Sequence, residues 1–222
     1  MARKARARSR PVSRTVAGDP RRSVVDAFLR LAATHDIRDI KLADIAEEAG
    51  IDLGALRALF GGKLAILAEF SRNVDQAVLA KGAAEGETPR DRLFDVMMRR
   101  MDALSPHRDA LRRLGRAAQR DPMLARGLHR ITRRAMRWML AAAGLERGGI
   151  IGSVTAEGLV LIYASVMRAF LDDTDPGLAR TMAALDRGLG RAETWMGWVD
   201  RLCDLIPGFS GRDRPRSADA EL

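Results

Sequence analysis

The chain has 222 residues, 47% of them hydrophobic and 30% charged, with a formal net charge of +9. That composition is ample for a folded core, and the single cysteine excludes an internal disulfide framework. The most apolar segment, LVLIYASVM at 159–167, is too short to span a bilayer, and the basic start is followed by no signal-peptide-like apolar stretch. We therefore expect a soluble, cytoplasmic protein.

The positive charge is concentrated in two stretches, residues 1–22 and residues 99–147, the second of which holds thirteen arginines and four acidic residues. Residues 1–22 hold eight basic residues and one acidic residue. A segment of this composition, containing Pro and Ser, is typical of disorder and can bind phosphates, although it can also act only as a solubilising tail. We predict a disordered basic arm over residues 1–19, and a flexible polar tail over residues 210–222.

Helix signals recur along the chain, whereas alternating strand patterns are absent. A capping residue followed by proline predicts helix starts at Asp19-Pro20, Thr88-Pro89, Ser105-Pro106, Asp121-Pro122 and Asp175-Pro176. The sequence thus predicts an all-α protein of nine helices. They cover about 20–36, 41–49, 53–60, 63–81 and 89–104, a sixth from 105, then 122–143, 153–171 and 176–206.

Residues 42–61 have the pattern of a helix-turn-helix. Leu42, Ile45, Ala46 and Ala49 form one apolar stripe, and Gly50 can adopt the positive φ that a tight interhelical turn requires. Apolar residues of the second helix, Ile51, Leu56 and Leu59, return the contact. An ordinary helical hairpin is the alternative.

The segment LADIAEEAGIDLGALRALFGGKLAIL at 42–67 resembles the DNA-binding motif of the TetR family of transcriptional regulators. The resemblance implies a three-helix head over 20–62, and a six-helix body over 63–209 that binds a small ligand and forms a homodimer. It also implies double-stranded DNA as a partner. The expected DNA-binding residues are Arg21, Arg22, Lys41, Asp52, Leu53, Ala55, Arg57 and Lys63.

The expected reading helix departs from the family pattern. Leu53 and Ala55 are apolar where polar contacts are usual, which leaves Arg57 as the side chain able to read a base edge. Residues 23–62 carry four basic and seven acidic residues, so the head alone should bind a polyanion poorly. The basic arm would then supply phosphate affinity.

The last two helices carry a long apolar seam that suits helix packing at a shallow angle. We expect it to form a symmetric dimer interface, with completion of a monomeric core as the alternative. The expected interface residues are Leu161, Tyr163, Leu178, Met182, Leu185, Leu189 and Met196.

The helix at 122–143 is strongly amphipathic, with an inward face expected to include Trp138 and a stripe of arginines opposite. The stripe is a solvated face, or a site for an anionic ligand or an anionic membrane surface. Methionine and aromatic side chains of the body could line a pocket for an apolar or amphipathic ligand, or they could belong to the hydrophobic core. The expected pocket residues are Phe94, Met97, Met101, Trp138 and Met139.

No catalytic, metal or cofactor site is expected. The three histidines are scattered, no glycine-rich phosphate loop is present, and Asp172, Asp173 and Asp175 fit a helix end and the next helix cap better than a metal site. We predict that the protein is not an enzyme.

A second, weaker resemblance concerns the ubiquinone-biosynthesis accessory proteins, which share the TetR fold but bind isoprenoid lipid and a partner enzyme. LRALF, RRMDALSPHRDALRRL and LDDTDPGLARTMAALDRGL are similar to their segments. This resemblance implies that the last helix binds membrane, here through Trp195, Trp198, Leu202, Ile206 and Phe209. The regulator is the leading hypothesis, and the lipid-binding accessory protein is the alternative.

Overall fold

A computed structural model describes residues 19–204, with side chains described as far as residue 191. Within residues 19–204 all regular structure is helical, which confirms the all-α prediction, and nine α-helices and one 3₁₀ turn are present. Apart from Asp19, the predicted arm lies outside these residues, as does the predicted tail. The helices are α1 (Pro20–Thr34), α2 (Leu42–Ala49), α3 (Leu53–Leu59), α4 (Lys63–Leu79), α5 (Pro89–Leu104), α6 (Arg108–Ala118), α7 (Pro122–Ala142), α8 (Gly149–Asp172) and α9 (Ala179–Asp204).

Three helices begin at the predicted cap-and-proline pairs. The Asp19 carboxylate accepts from the Arg21 amide at 3.0 Å, and the Thr88 hydroxyl accepts from the Asp91 amide at 3.1 Å. At α7, the Asp121 carboxylate accepts from the amides of residues 123 and 124, at 2.9 and 3.1 Å. Each side chain satisfies backbone donors that have no partner inside the helix, so these local signals suffice to set the starts.

Two predicted starts were wrong. Ser105-Pro106 opens a single 3₁₀ turn, and α6 begins only at Arg108. Asp175-Pro176 opens a turn in which the Asp175 carboxylate accepts from the amides of residues 177 and 179, at 3.0 and 3.3 Å. Leu178 has a positive φ of 56°, so the helical conformation cannot begin before Ala179.

The chain divides into two compact units inside α8, between residues 160 and 161. The predicted boundary between head and body lies elsewhere, between residues 62 and 63, and stays a prediction. In the first unit α1 packs on α2, α4 and α6, and α4 packs on α5 and α7. Its core contains the fully buried side chains of Phe28, Ile45, Ile66, Met97, Met101, Met136 and Met139.

The second unit contains the end of α8, the connecting turn and α9. Gly188 of α9 lies so close to Ile162 of α8 that a Cβ on the glycine would be 2.6 Å from the isoleucine Cγ2. The buried Asp173 carboxylate accepts from the amide and hydroxyl of Thr181, at 2.9 and 2.8 Å. The carboxylates of Asp173 and Asp175 therefore hold the helix connection together.

Helix α8 is longer than the nine-residue apolar segment within it. With 24 residues and a mean hydropathy of 1.7 over its most apolar window, it is long and apolar enough to cross a bilayer by length and composition alone. The core helices of soluble proteins pass the same test. The helix extends beyond the nine-residue apolar segment at both ends, so the length of that segment alone does not decide whether the helix could span a bilayer.

The predicted dimer seam does not lie on one accessible face. The side chains of Tyr163, Leu178, Leu185 and Leu189 are buried within the protomer, where a second copy cannot reach them. Leu161 is 73% exposed and Met182 40% exposed, while the Met196 side chain lies outside the described residues. Much of the apolar stripe is therefore buried within the protomer, and the dimer interface stays a prediction.

Candidate nucleic-acid interface

Helices α2 and α3 form a helix-turn-helix around Gly50. Gly50 has a φ of 70°, and the Gly50 and Ile51 amides donate to the carbonyls of Glu47 and Ala46, both at 3.0 Å. This pattern of bonds ends a helix at a left-handed residue, which glycine adopts at little cost. The turn thus fixes the angle at which α3 leaves α2.

Helix α3 is held by the capping residue that precedes it and by one buried anchor. The Asp52 carboxylate accepts from the Ala55 amide at 2.8 Å and caps the helix, while Leu56 is buried. The other side of the helix faces solvent, with Leu53 53% exposed and Ala55, Arg57 and Ala58 also exposed. Arg57 is the single charged side chain between Leu53 and Leu59, so any base-edge hydrogen bond from this helix depends on it.

Lys63, at the start of α4, faces the connection between α1 and α2. Its Nζ donates to the Ile37 carbonyl at 2.6 Å and to the Ile40 carbonyl at 3.0 Å. An ammonium group has three N–H donors, so at most one is left for a DNA phosphate. Lys63 primarily holds the loop between α1 and α2.

Arg21, in the first turn of α1, lies against the junction of α3 and α4. Its guanidinium carbon is 5.2 Å from the centroid of the Phe60 ring, and Nη1 is 3.5 Å from the Glu69 carboxylate. These contacts occupy a side chain that was predicted to bind DNA. They also place the point where the basic arm joins α1 beside the end of the candidate reading helix.

The remaining cations of the head fall into two groups. Arg30 pairs with Glu48 at 2.7 Å, and Arg38 pairs with Asp36 at 2.8 Å, where hydrogen bonds from Arg38 lower the pKa of the Asp36 carboxyl to about 2. Within the described residues, no acidic side chain pairs with the exposed cations Arg22, Lys41 or Arg57. These three carry the unneutralised positive charge of the head.

The predicted pocket residues are mostly packed. Met97, Met101 and Met139 are fully buried, Phe94 is half-buried, and Trp138 is 53% exposed. The prediction that Trp138 faces inward was wrong, because α7 turns Met136, Met139 and Leu140 toward the core instead. A cavity of about 220 Å³ lies elsewhere, at the α7–α8 turn, lined by Arg137, Leu140, Leu145, Glu146, Arg147, Gly149, Gly152, Ser153 and Thr155. The predicted pocket stays a prediction.

Comparison with known proteins relates the chain to solved structures. No protein-family model matches it, and no curated protein does. A TetR transcriptional regulator from Nitrosomonas europaea matches with a TM-score of 0.62 and 21% identity, covering 79% of this chain and 99% of that one. A putative TetR-family regulator from a Rhodococcus species matches with a TM-score of 0.53 and 20% identity, covering 78% and 100%. One from a Shewanella species gives 0.52 and 15%, covering 78% and 98%.

The chain has the TetR fold. The predicted fold class is thereby confirmed, and the similarity covers nearly the whole length of each of these proteins. At sequence identities of 15–21%, what these proteins share with this chain is the arrangement of the backbone. Whether a given side chain can contact DNA must therefore be judged from its own position and contacts in this chain.

The TetR fold brings some predicted contact residues to the surface and uses others internally. Arg22, Lys41, Leu53, Ala55 and Arg57 are exposed, whereas the side chains of Arg21, Asp52 and Lys63 hydrogen-bond or pair within the protein. Sequence reasoning missed the contact of Arg21 with Phe60 and Glu69, since no local spacing links the start of α1 to α4. In the described part of the chain, no cluster of three metal-ligating side chains is present.

Proposed function

We propose that this protein is a dimeric DNA-binding transcriptional regulator with the TetR fold, controlled by a small apolar or amphipathic ligand in its helical body, in the cytoplasm. The observation that carries the proposal is the exposed Arg57, which pairs with no acidic side chain among the described residues and lies on a short helix that follows a glycine turn. Helices held in this way are suited to insertion into the major groove.

In the proposed complex, different residues of the head contact the DNA phosphates and the base edges. Arg22, Lys41 and the arm beyond Asp19 provide positive charge for the phosphates, which sets affinity and its salt dependence. Arg57 would donate two hydrogen bonds to a guanine edge, a contact worth about 1–3 kcal/mol of discrimination. The exposed Leu53 and Ala55 can touch a thymine methyl group.

Dimerisation would use the exposed apolar residues of the second unit. Leu161 and Met182 are exposed, and Ala164, Ser165 and Ala183 are small exposed neighbours along the same helices. Two copies meeting through a surface of this kind would present two heads to a palindromic site. Leu161→Asp should convert the dimer to a monomer in sedimentation velocity. Ile150→Asp is the matched control, since Ile150 is 72% exposed in the first turn of the same helix.

Control by a ligand would act through the methionine-rich core of the body. Met97, Met101, Met136 and Met139 are fully buried, and their unbranched side chains can rearrange around a bound apolar molecule. A ligand that favours one arrangement of the body would change the spacing of the two heads and hence the affinity for the palindrome. The test is whether a ligand extracted from the purified protein releases the protein from DNA when it is added back. We expect this response to be lost in Met101→Trp.

The first experiment is a competition between fragments of the protein's own upstream region and random duplex DNA, over a series of salt concentrations. We expect one fragment to be preferred, and Arg57→Ala to remove that preference while binding to random DNA changes little. Arg180→Ala, which removes another exposed arginine, from α9, should leave both the preference and the binding to random DNA unchanged. Equal binding to all sequences by the native protein would refute sequence-specific regulation.

A second candidate is a lipid-binding accessory protein of ubiquinone biosynthesis. The observation that favours it is the apolar outer face of α3, where Leu53 is 53% exposed and one charge remains. In a protein that no longer binds specific DNA sequences, the polar side chains that contact bases are not needed on this face. Mass spectrometry of lipids co-purified with the native protein distinguishes the two, since an isoprenoid lipid in stoichiometric amount together with unselective DNA binding would favour this candidate.

A further inference from the structure

The outer face of α7 is an uninterrupted cationic surface, hereafter the arginine face. Arg126, Arg130, Arg134 and Arg137 are all exposed and recur at intervals of three and four, so they project from the same side of the helix. From the first to the last they span about 16 Å along the axis. The 21 residues of α7 include no Asp or Glu, so this charge is not balanced from within the helix.

Neighbouring elements do not balance it either. Among the described residues, no acidic side chain pairs with Arg126, Arg130 or Arg134, and Arg137 donates to the Ser153 hydroxyl at 3.5 Å. By contrast, Arg133, one row further in, lies 4.0 Å from the Glu157 carboxylate. Glu157 of α8 thus reaches the inner edge of α7 and leaves its outer face positive.

Two large apolar side chains flank these charges. Trp138 is 53% exposed beside Arg134 and Arg137, and Met123, one turn before Arg126, is 75% exposed. An exposed tryptophan is costly in water, but it is well placed at the boundary between lipid headgroups and acyl chains, where its ring is partly apolar and its N–H remains hydrated. Cations and an aromatic side chain together therefore match a surface that is both anionic and partly apolar.

We infer that the arginine face, with Trp138, binds the surface of an anionic phospholipid bilayer. A straight row of cations on one rigid helix suits a flat array of headgroup phosphates, and Trp138 and Met123 add apolar contact that the backbone of a DNA duplex does not offer. This association does not depend on the proposed regulation of transcription, and it requires no residue of the head.

The test is co-sedimentation of the full-length protein with vesicles of phosphatidylcholine alone or with phosphatidylglycerol, at 0.15 M salt (the ionic strength at which the Debye length is about 8 Å). We expect binding only to the anionic vesicles. R130E/R134E should weaken it by about tenfold or more, because each juxtamembrane cation contributes several-fold to the partition. Trp138→Ala should weaken it less, and Trp138→Phe should restore part of the loss.

The matched control is R180E/R187E, which makes the same charge change at two exposed arginines of α9. Equal loss of vesicle binding in the two double variants would overturn the inference, since net charge rather than the arginine face would then govern binding. Absence of vesicle binding by the native protein would overturn it too. R130E/R134E that weakens binding to random duplex DNA but not to vesicles would also overturn it and would assign the face to nucleic acid. Because all four arginines are exposed, unchanged melting temperatures should show that each variant is folded.

Discussion

The ammonium group of Lys63 lies 2.6 Å from the Ile37 carbonyl oxygen, across 26 positions of sequence. A second bond, to the Ile40 carbonyl at 3.0 Å, makes this side chain a clamp on the loop between α1 and α2. The angle between α1 and the helix-turn-helix therefore depends on a residue that a motif comparison assigns to DNA.

We expect Lys63→Met to lower the free energy of unfolding by about 1–3 kcal/mol, because two carbonyl groups lose charged hydrogen bonds. Lys81→Met is the control. It makes the same substitution at an exposed lysine after the end of α4, and it should have little effect. Urea unfolding measures both. If the two variants are equally stable and Lys63→Met loses only DNA affinity, Lys63 acts mainly at phosphate.

Gly188 of α9 packs closely against Ile162 of α8. A methyl group there would lie 2.6 Å from the stiff, branched side chain of Ile162, so we expect Gly188→Ala to destabilise the fold by about 1–3 kcal/mol. Gly115→Ala, in the middle of α6, meets nothing within 4 Å and should instead stabilise by about 0.5–1 kcal/mol. Thermal unfolding of the two variants should shift in opposite directions. A shift in the same direction would contradict this account of the helix contact.

Arg100 and Asp75 form a buried ion pair between α5 and α4, and Arg100 Nη2 also donates to the Ser71 hydroxyl at 3.2 Å. Burial raises the pKa of the Asp75 carboxyl, and Arg100 acts against that shift. Replacing Asp75 by Asn leaves a buried guanidinium without its counter-charge, so we expect a loss of about 3–5 kcal/mol in the free energy of unfolding.

The double variant Asp75→Leu, Arg100→Met provides the control for that pair. Removing both charges together also removes the cost of desolvating them, so its stability should be close to that of the native protein or greater. A double variant as unstable as Asp75→Asn would show that the ion pair itself, with its bond to Ser71, contributes net stability. Urea unfolding at neutral pH compares the three proteins.

His107 should make stability depend on pH. Its ring packs edge-to-face on Phe70 at a centroid distance of 5.1 Å, and burial lowers its pKa below the usual 6.5. The unfolded chain then binds the proton more readily than the folded protein. Stability contributed by neutral His107 is thus fully present above about pH 6.5 and falls as the pH drops from there through the lower folded-state pKa.

We expect the free energy of unfolding to fall between pH 7 and pH 5 in the native protein, and to fall less in His107→Phe, which keeps an aromatic ring but cannot bind a proton. His35→Phe is the control, because His35 is exposed at the end of α1. Equal slopes in the native protein and His107→Phe would assign the pH dependence to other groups.

The sequence by itself determined the helical class, most helix starts and the helix-turn-helix. Asp19, Thr88 and Asp121 cap the helices that follow them, and Gly50 takes the turn between α2 and α3. These features depend on hydrogen bonds and dihedral angles within a few residues, so the residue types in order suffice to predict them.

Only the tertiary structure decided which side chains remain available for binding. Lys63 points to a loop rather than into solvent, Arg21 lies on Phe60, Trp138 is outside, and Leu185 is inside while Leu161 is exposed. Helical periodicity identifies a stripe, but which neighbour covers that stripe is set by contacts between residues far apart in sequence. The same burial that fixes the fold therefore decides which charges and apolar groups are left to meet DNA, lipid or a second copy of the chain.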